Sequence, residues 1–163
     1  MNPVSVGDTL YRQGDVPLVV AQLPPTAKRV DAGRVILAYG EQTGHHHRFE
    51  SSAVLYADGD DRFVEVGDVA TAIAPTSVEP YDDSMIRVFD HTLGLADGLA
   101  VRMPASELAK IEAAIKASAV LTYPGELLRH EEHDAIVVAP GVYQAPGQRE
   151  YTSKDMPAIR VTD

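Results

Sequence analysis

Imidazole is concentrated in two short stretches of this chain. Of six histidines, three stand together in TGHHHRF, Thr43 to Phe49, and two more in LRHEEHDAIVVAPG, at His130 and His133. Neutral imidazole is the commonest protein metal ligand, and zinc, iron, copper and nickel all accept it. On an extended segment His45 and His47 share one face, with Cα atoms about 7 Å apart, while His46 points the other way. That spacing suits two imidazoles converging on one ion. Glu50, His91, His130, Glu131, Glu132 and His133 are the candidates to complete a set. The expectation is a divalent transition metal, zinc or iron, held by His45 and His47 with His130 or His133. Paired histidines can also serve as acid and base near neutral pH, so catalysis without a metal is the alternative chemistry.

HEEH, His130 to His133, is not the zincin helix motif, which needs histidines four apart. Its flanks, GELLR and DAIVVAPG, read as strand. On a strand His130 and His133 would face opposite sides, and one of them would reach a shared site. In a tight turn both would.

Other chemistries find no residues. The chain has no cysteine, so thiolate zinc sites, disulfides and thiol nucleophiles are excluded. There is no G-x-S-x-G elbow and no P-loop. Net charge is −10, from 24 acidic residues against 14 lysines and arginines, which disfavours non-specific nucleic-acid binding. Arg48, Gln148, Arg149 and Tyr151 are the candidates to line the mouth of a site, since an arginine fork suits carboxylate or phosphate.

The elements that must carry these residues read as one domain, 1–163. No apolar run approaches the roughly 18 residues of a membrane span, and no signal peptide is recognised, so the expectation is a cytoplasmic protein without a membrane segment. Turn signals at Gly14–Asp15, Asp58–Asp61, Gly67–Asp68 and Pro140–Gly141 separate short β-rich runs such as RVILAYG and DAIVVAP. Mainly antiparallel β-structure follows, as a compact sandwich or barrel, cupin-like or a β-roll. One helix is expected at 104–119, where Leu108, Ile111 and Ile115 make a narrow apolar stripe. It reads as a helical insertion in a β-rich domain, to which the resemblance described below gives bounds of about 78–123. Such a segment could hold a protein partner or a homo-oligomer contact.

Three stretches occur together and in order: QGDV at Gln13–Val16, GRVILAYGEQTGHHHRF at Gly33–Phe49, and LLRHEEHDAIVVAPGVYQAPGQREY at Leu127–Tyr151. This outline resembles a group of small, uncharacterised bacterial and phage-borne proteins. The resemblance singles out Gln13, Gly14 and Asp15, then Gly44, His45 and His47, then His130 to His133, and finally Gly141, Tyr143 and Gln148 to Tyr151. It places His46 at a variable position and implies shorter relatives between about 78 and 123. It brings no activity with it. The cupin pattern is an architectural analogy only: here the glutamate follows the second histidine too soon, and the later histidine precedes its Pro–Gly turn. The rival reading is a non-catalytic structural or interaction module of a phage-like or mobile-element system, its polar motifs forming a buried hydrogen-bond network.

Overall fold

The computed structural model describes residues 4–40, 46–80, 82, 85–93, 98–103, 107–145 and 160–161. Strand dominates, at 58% against 11% helix, and the main sheet curls into a half-barrel. Its strands are β1 (Thr9–Gln13), β2 (Val16–Val20), β3 (Lys28–Gly40), β4 (His46–Asp58) and β5 (Asp61–Val66). After β6 (Ala70–Ile73) come β7 (Ser77–Pro80), β8 (Met85–Phe89) and β9 (Leu99–Arg102). The one α-helix among the described residues, α1 (Leu108–Ala117), precedes β10 (Leu121–Pro124), β11 (Glu126–Arg129), β12 (Ala135–Val138), β13 (Gly141–Gln144) and β14 (Arg160–Val161). Among the described residues the sheet order is β1-β2-β13-β5-β4-β11-β12-β9-β8-β7, with β3 on β4, β14 on β3, and β6–β10 as a separate ribbon.

Two of the four expected turns, Gly14–Asp15 and Asp58–Asp61, are hairpin reversals. Gly14 (φ +55°) joins β1 to β2, and Gly59 (φ +62°) joins β4 to β5. Among the described residues pairing is antiparallel except β9 with β12 and β14 with β3. The helix is shorter than expected. It starts after Glu107 and ends where Ser118 turns left-handed (φ 52°), and 104–106 lie outside the described residues.

β12 explains why the middle of the sheet is apolar on both faces. All four of its residues are buried. Ile136 and Val138 enter a core with Leu18, Val35, Phe49 and Leu128, whereas Ala135 and Val137 enter a second core with Ile86, Leu99, Ile111 and Leu127. A strand covered on both sides needs an unbroken apolar run, and AIVV supplies one. The segment from β8 through α1 therefore furnishes much of the second core. Ile111, part of the narrow apolar stripe expected on the helix, is completely buried.

With β3 along one edge, β4 serves two neighbours in turn on the other. Its first residues pair with β11 through Phe49 and Arg48, and its last five pair with β5. Between them the register against β3 shifts, and the buried Glu126 carboxylate holds that stretch. It accepts the Ser51 N–H (2.9 Å), the Ser52 N–H (3.0 Å) and the Ser52 hydroxyl (2.6 Å). This clasp holds the beginning of β4, with His47, against the start of the β11–β12 connection.

Candidate metal and ligand site

The HEEH segment is a bend between β11 and β12, not a strand. Of the two geometries left open by the sequence, the turn is the one that forms, and it sends His130 and His133 to the same place. His47 meets them there from β4. Ring centroids lie 4.3 Å apart for His47 and His130, 4.6 Å for His130 and His133, and 5.9 Å for His47 and His133. His47 is fully buried and His130 nearly so. The two histidine stretches share one cluster.

Gln13 fixes the tautomer of His47. The last residue of β1 is 2% exposed, and its side-chain amide donates to Leu128 O (2.9 Å) and Asp134 O (2.8 Å). Both amide hydrogens are thereby used, so the Gln13 oxygen can only accept. It lies 2.9 Å from His47 Nδ1. His47 therefore carries its proton on Nδ1, and its lone pair is on Nε2. An orienting partner on one ring nitrogen is the usual support for a histidine that uses the other. His130 has the opposite tautomer: its Nδ1 accepts the Glu132 N–H (3.0 Å), so the neutral ring bears its proton on Nε2. His133 Nε2 is buried with no hydrogen-bond partner among the described residues. It lies against Gly14, where an added Cβ would sit only 2.6 Å from it.

Burial holds the His47 imidazolium down to a pKa of about 3, helped by repulsion from His130 and His133. Burial alone would raise the Glu131 carboxyl. The His46 N–H (3.2 Å) and the Arg48 guanidinium outweigh burial and hold it below the usual range.

Arg48, expected at the mouth of the site, is a clasp. It donates to Glu50 (2.5 Å), Glu131 (2.5 Å) and the His46 carbonyl (3.1 Å), tying β4 to the HEEH bend. His46 turns outward as expected, and its Nε2 accepts from Arg34 (3.1 Å). Glu131 faces the Arg48 clasp, and His91 is exposed on a 3-10 turn at His91–Leu93. His45, Gln148, Arg149 and Tyr151 lie outside the described residues. Among those described, no group of three or more His, Asp or Glu is arranged to hold a metal ion.

Beside the cluster lies a cavity of about 160 Å³ whose lining includes Gln13, Gly14 and His133. One wall is an ion pair, with Arg87 Nε and Nη2 donating to both Asp134 oxygens at 2.7 and 2.9 Å. That bidentate pair raises the Arg87 pKa.

Two features escaped the sequence reading. Gln13 was noted for its place in an outline, yet its task is to set a tautomer. The available signal was an amide at a core-facing position, two residues after buried Tyr11. The Arg87–Asp134 pair joins residues far apart in the chain and left no local signal. Replacing Gln13 with leucine should strand the His47 N–H and two carbonyls in the interior. At ~1–3 kcal/mol for a stranded group, the loss should be about 3 kcal/mol or more. A chemical denaturation curve reads this directly; an unchanged midpoint would mean that the Gln13 bonds contribute nothing.

Searches among curated proteins and among solved structures gave no match. Residues 12–78, which span Gln13, Gly14 and His47 but not His130 or His133, match the family described as a domain of unknown function, DUF8820.

Proposed function

We propose that the protein binds a divalent transition metal at this cluster, through Nε2 of His47 and Nε2 of His133, with His45 as the third imidazole. The observation that carries the reading is the Gln13 clamp, which puts the His47 lone pair on Nε2 inside a buried group of imidazoles. His130 is assigned a supporting place, because the bond from Glu132 to its Nδ1 leaves the proton on Nε2. That assignment chooses His133 over His130 as the ligand from the bend. The His47 and His133 rings are nearly parallel, at 11°, so sharing an ion requires one of them to turn about its Cβ–Cγ bond. An all-imidazole set favours zinc, iron, copper or nickel over calcium or magnesium. The lack of cysteine suits a reducing, cytoplasmic setting.

Metal content of protein purified without an immobilised-metal column tests the proposal, together with four variants. About one equivalent of a transition metal is expected. His47→Ala and His133→Ala should each remove it. His46→Ala should retain it, because that ring faces Arg34 on the outside. His130→Asn should lower occupancy without abolishing it. A metal-free parent that also fails to take up added zinc would sink the reading.

A second reading has its own observation. The same Gln13 bonds join β1, β4 and both ends of the β11–β12 connection, as a purely structural network would. In that reading the protein is a non-catalytic module of a phage-like or mobile-element system, and the segment from 78 to 123 meets its partner or a second copy. Full stability after exhaustive chelation, with no metal uptake, would favour it.

A further inference from the structure

We propose that the cavity of about 160 Å³ between β1, β8, β9 and the HEEH bend binds a small zwitterion, an α-amino acid of about the size of serine. This does not draw on the metal reading. Nε2 of His133 is buried, and Gly14 backs onto it so closely that an added Cβ would sit 2.6 Å away. The chamber is therefore walled off from the ligating edge of the imidazole cluster and is a compartment of its own.

Size and rigidity come first. The volume is several times what one water needs, and it is well below the ~300 Å³ at which pockets for drug-sized ligands begin. A molecule of a few non-hydrogen atoms fits. Met85, Ala100 and Ile136, all buried, supply an apolar part of the lining. One wall is fixed in advance. Arg87 is held by Asp134, by Glu79 (3.4 Å) and by packing over Gly98, where an added Cβ would sit 2.7 Å from Arg87 Cγ. A chamber with such a wall keeps its shape without an occupant, and a preorganised site loses less on binding.

Charge decides the ligand class. Among the described lining residues Arg12 and Arg87 balance Glu132 and Asp134. A ligand of either net sign would bring an uncompensated charge into a partly enclosed space, and that is costly. The inner pair is closed on itself, with both Asp134 oxygens taken by Arg87. One charge of each sign is then left exposed at the rim, Arg12 on β1 and Glu132 on the bend. A carboxylate suits the arginine fork, and an ammonium suits the glutamate. A small amino acid carries both and is neutral overall.

Calorimetric titration of the full-length protein in chelator tests this, with L-serine as the probe. Acetate and ethanolamine are the comparison probes, since each matches only one of the two rim charges. The expected result is saturable binding of L-serine, about fivefold tighter than either comparison probe. Arg12→Gln should erase the preference for serine over ethanolamine, and Glu132→Gln the preference over acetate. Both positions are exposed, and circular dichroism verifies that the variants are folded. Ala100→Leu, which fills the chamber from β9, should abolish binding of all three probes; if it fails to fold, the two rim variants decide. No saturable heat with serine up to about 50 mM overturns the proposal. So does acetate binding as tightly as serine in the parent, which would make this a simple anion site. Rim variants that leave the preferences unchanged overturn it as well.

Discussion

Metal-free protein should lose about 1.4 kcal/mol of stability for every pH unit below about 6.5 as His47 alone is titrated. In the fold this ring is fully buried beside His130 and His133, and its pKa falls from 6.5 to about 3. The unfolded chain therefore binds a proton that the native state refuses. Stability is fully present above 6.5 and drains as the pH falls, until near 3 the native ring is protonated too. The total is on the order of 4–5 kcal/mol, a large part of the 5–15 kcal/mol that holds a typical domain. His46, Glu131, His130 and His133 are the charged or titratable neighbours that act on it, and only Glu131 works to keep it protonated. Urea denaturation from pH 8 to pH 4 in chelator reads the slope. In His47→Gln most of the slope should vanish. A parent whose stability is flat across this range would show that His47 is not buried in its neutral form.

Gly125→Ala should cost more than about 4 kcal/mol and leave little cooperative fold. Gly125 sits between β10 and β11 with φ +117°, outside the range that residues with a side chain readily adopt. The second obstacle is steric. A Cβ there would lie 1.9 Å from the Val138 carbonyl oxygen and 2.7 Å from its carbon, both backbone atoms of the buried strand β12. No rotamer change relieves such a clash. Gly125 also donates its N–H to Val69 O (2.6 Å) and accepts from the Thr71 hydroxyl (2.9 Å), so the corner cannot shift without losing those bonds. Gly59→Ala is the control. It too has positive φ, but nothing lies within 4 Å of its Cβ position, so the expected cost is only about 1 kcal/mol. Soluble yield and urea midpoints for the two variants decide the matter. Equal, small losses in both would mean that β11 and β12 do not approach as described.

How much of this was legible in the sequence differs by element. The run AIVV identified β12, because burial on both faces leaves a local mark, whereas Pro140–Gly141 leads to β13, which pairs with β2 and β5 and not with β12. Leu108, Ile111 and Ile115 located the helix, although its start fell later. β3 begins earlier than RVILAYG, since Lys28 to Asp31 are all exposed and show no alternation to read. The parallel pairing of β9 with β12 joins residues more than thirty apart and left no local mark. At the site, H-x-H alternation correctly separated buried His47 from outward His46. HEEH stayed ambiguous because its residues fit a strand or a turn equally well; the bend is set by long-range partners, namely Gln13 on Asp134 O and Arg87 on the Asp134 carboxylate. Arg48 was read as a ligand-binding arginine because a sequence does not reveal that Glu50 and Glu131 already surround it.

The central claim is that hydrogen bonds fix the tautomers of His47 and His130, making His47 a ligand beside His133 and keeping His130 in support. Long-range proton–nitrogen NMR of imidazole-labelled protein, recorded before and after one equivalent of zinc, tests it most directly. Before zinc, His47 should show its proton on Nδ1 and His130 on Nε2. After zinc, the Nε2 resonances of His47 and His133 should move to metal-bound positions, while His130 keeps its tautomer. Rings unchanged by zinc, or a metal-bound His130 beside an unperturbed His133, would contradict the account.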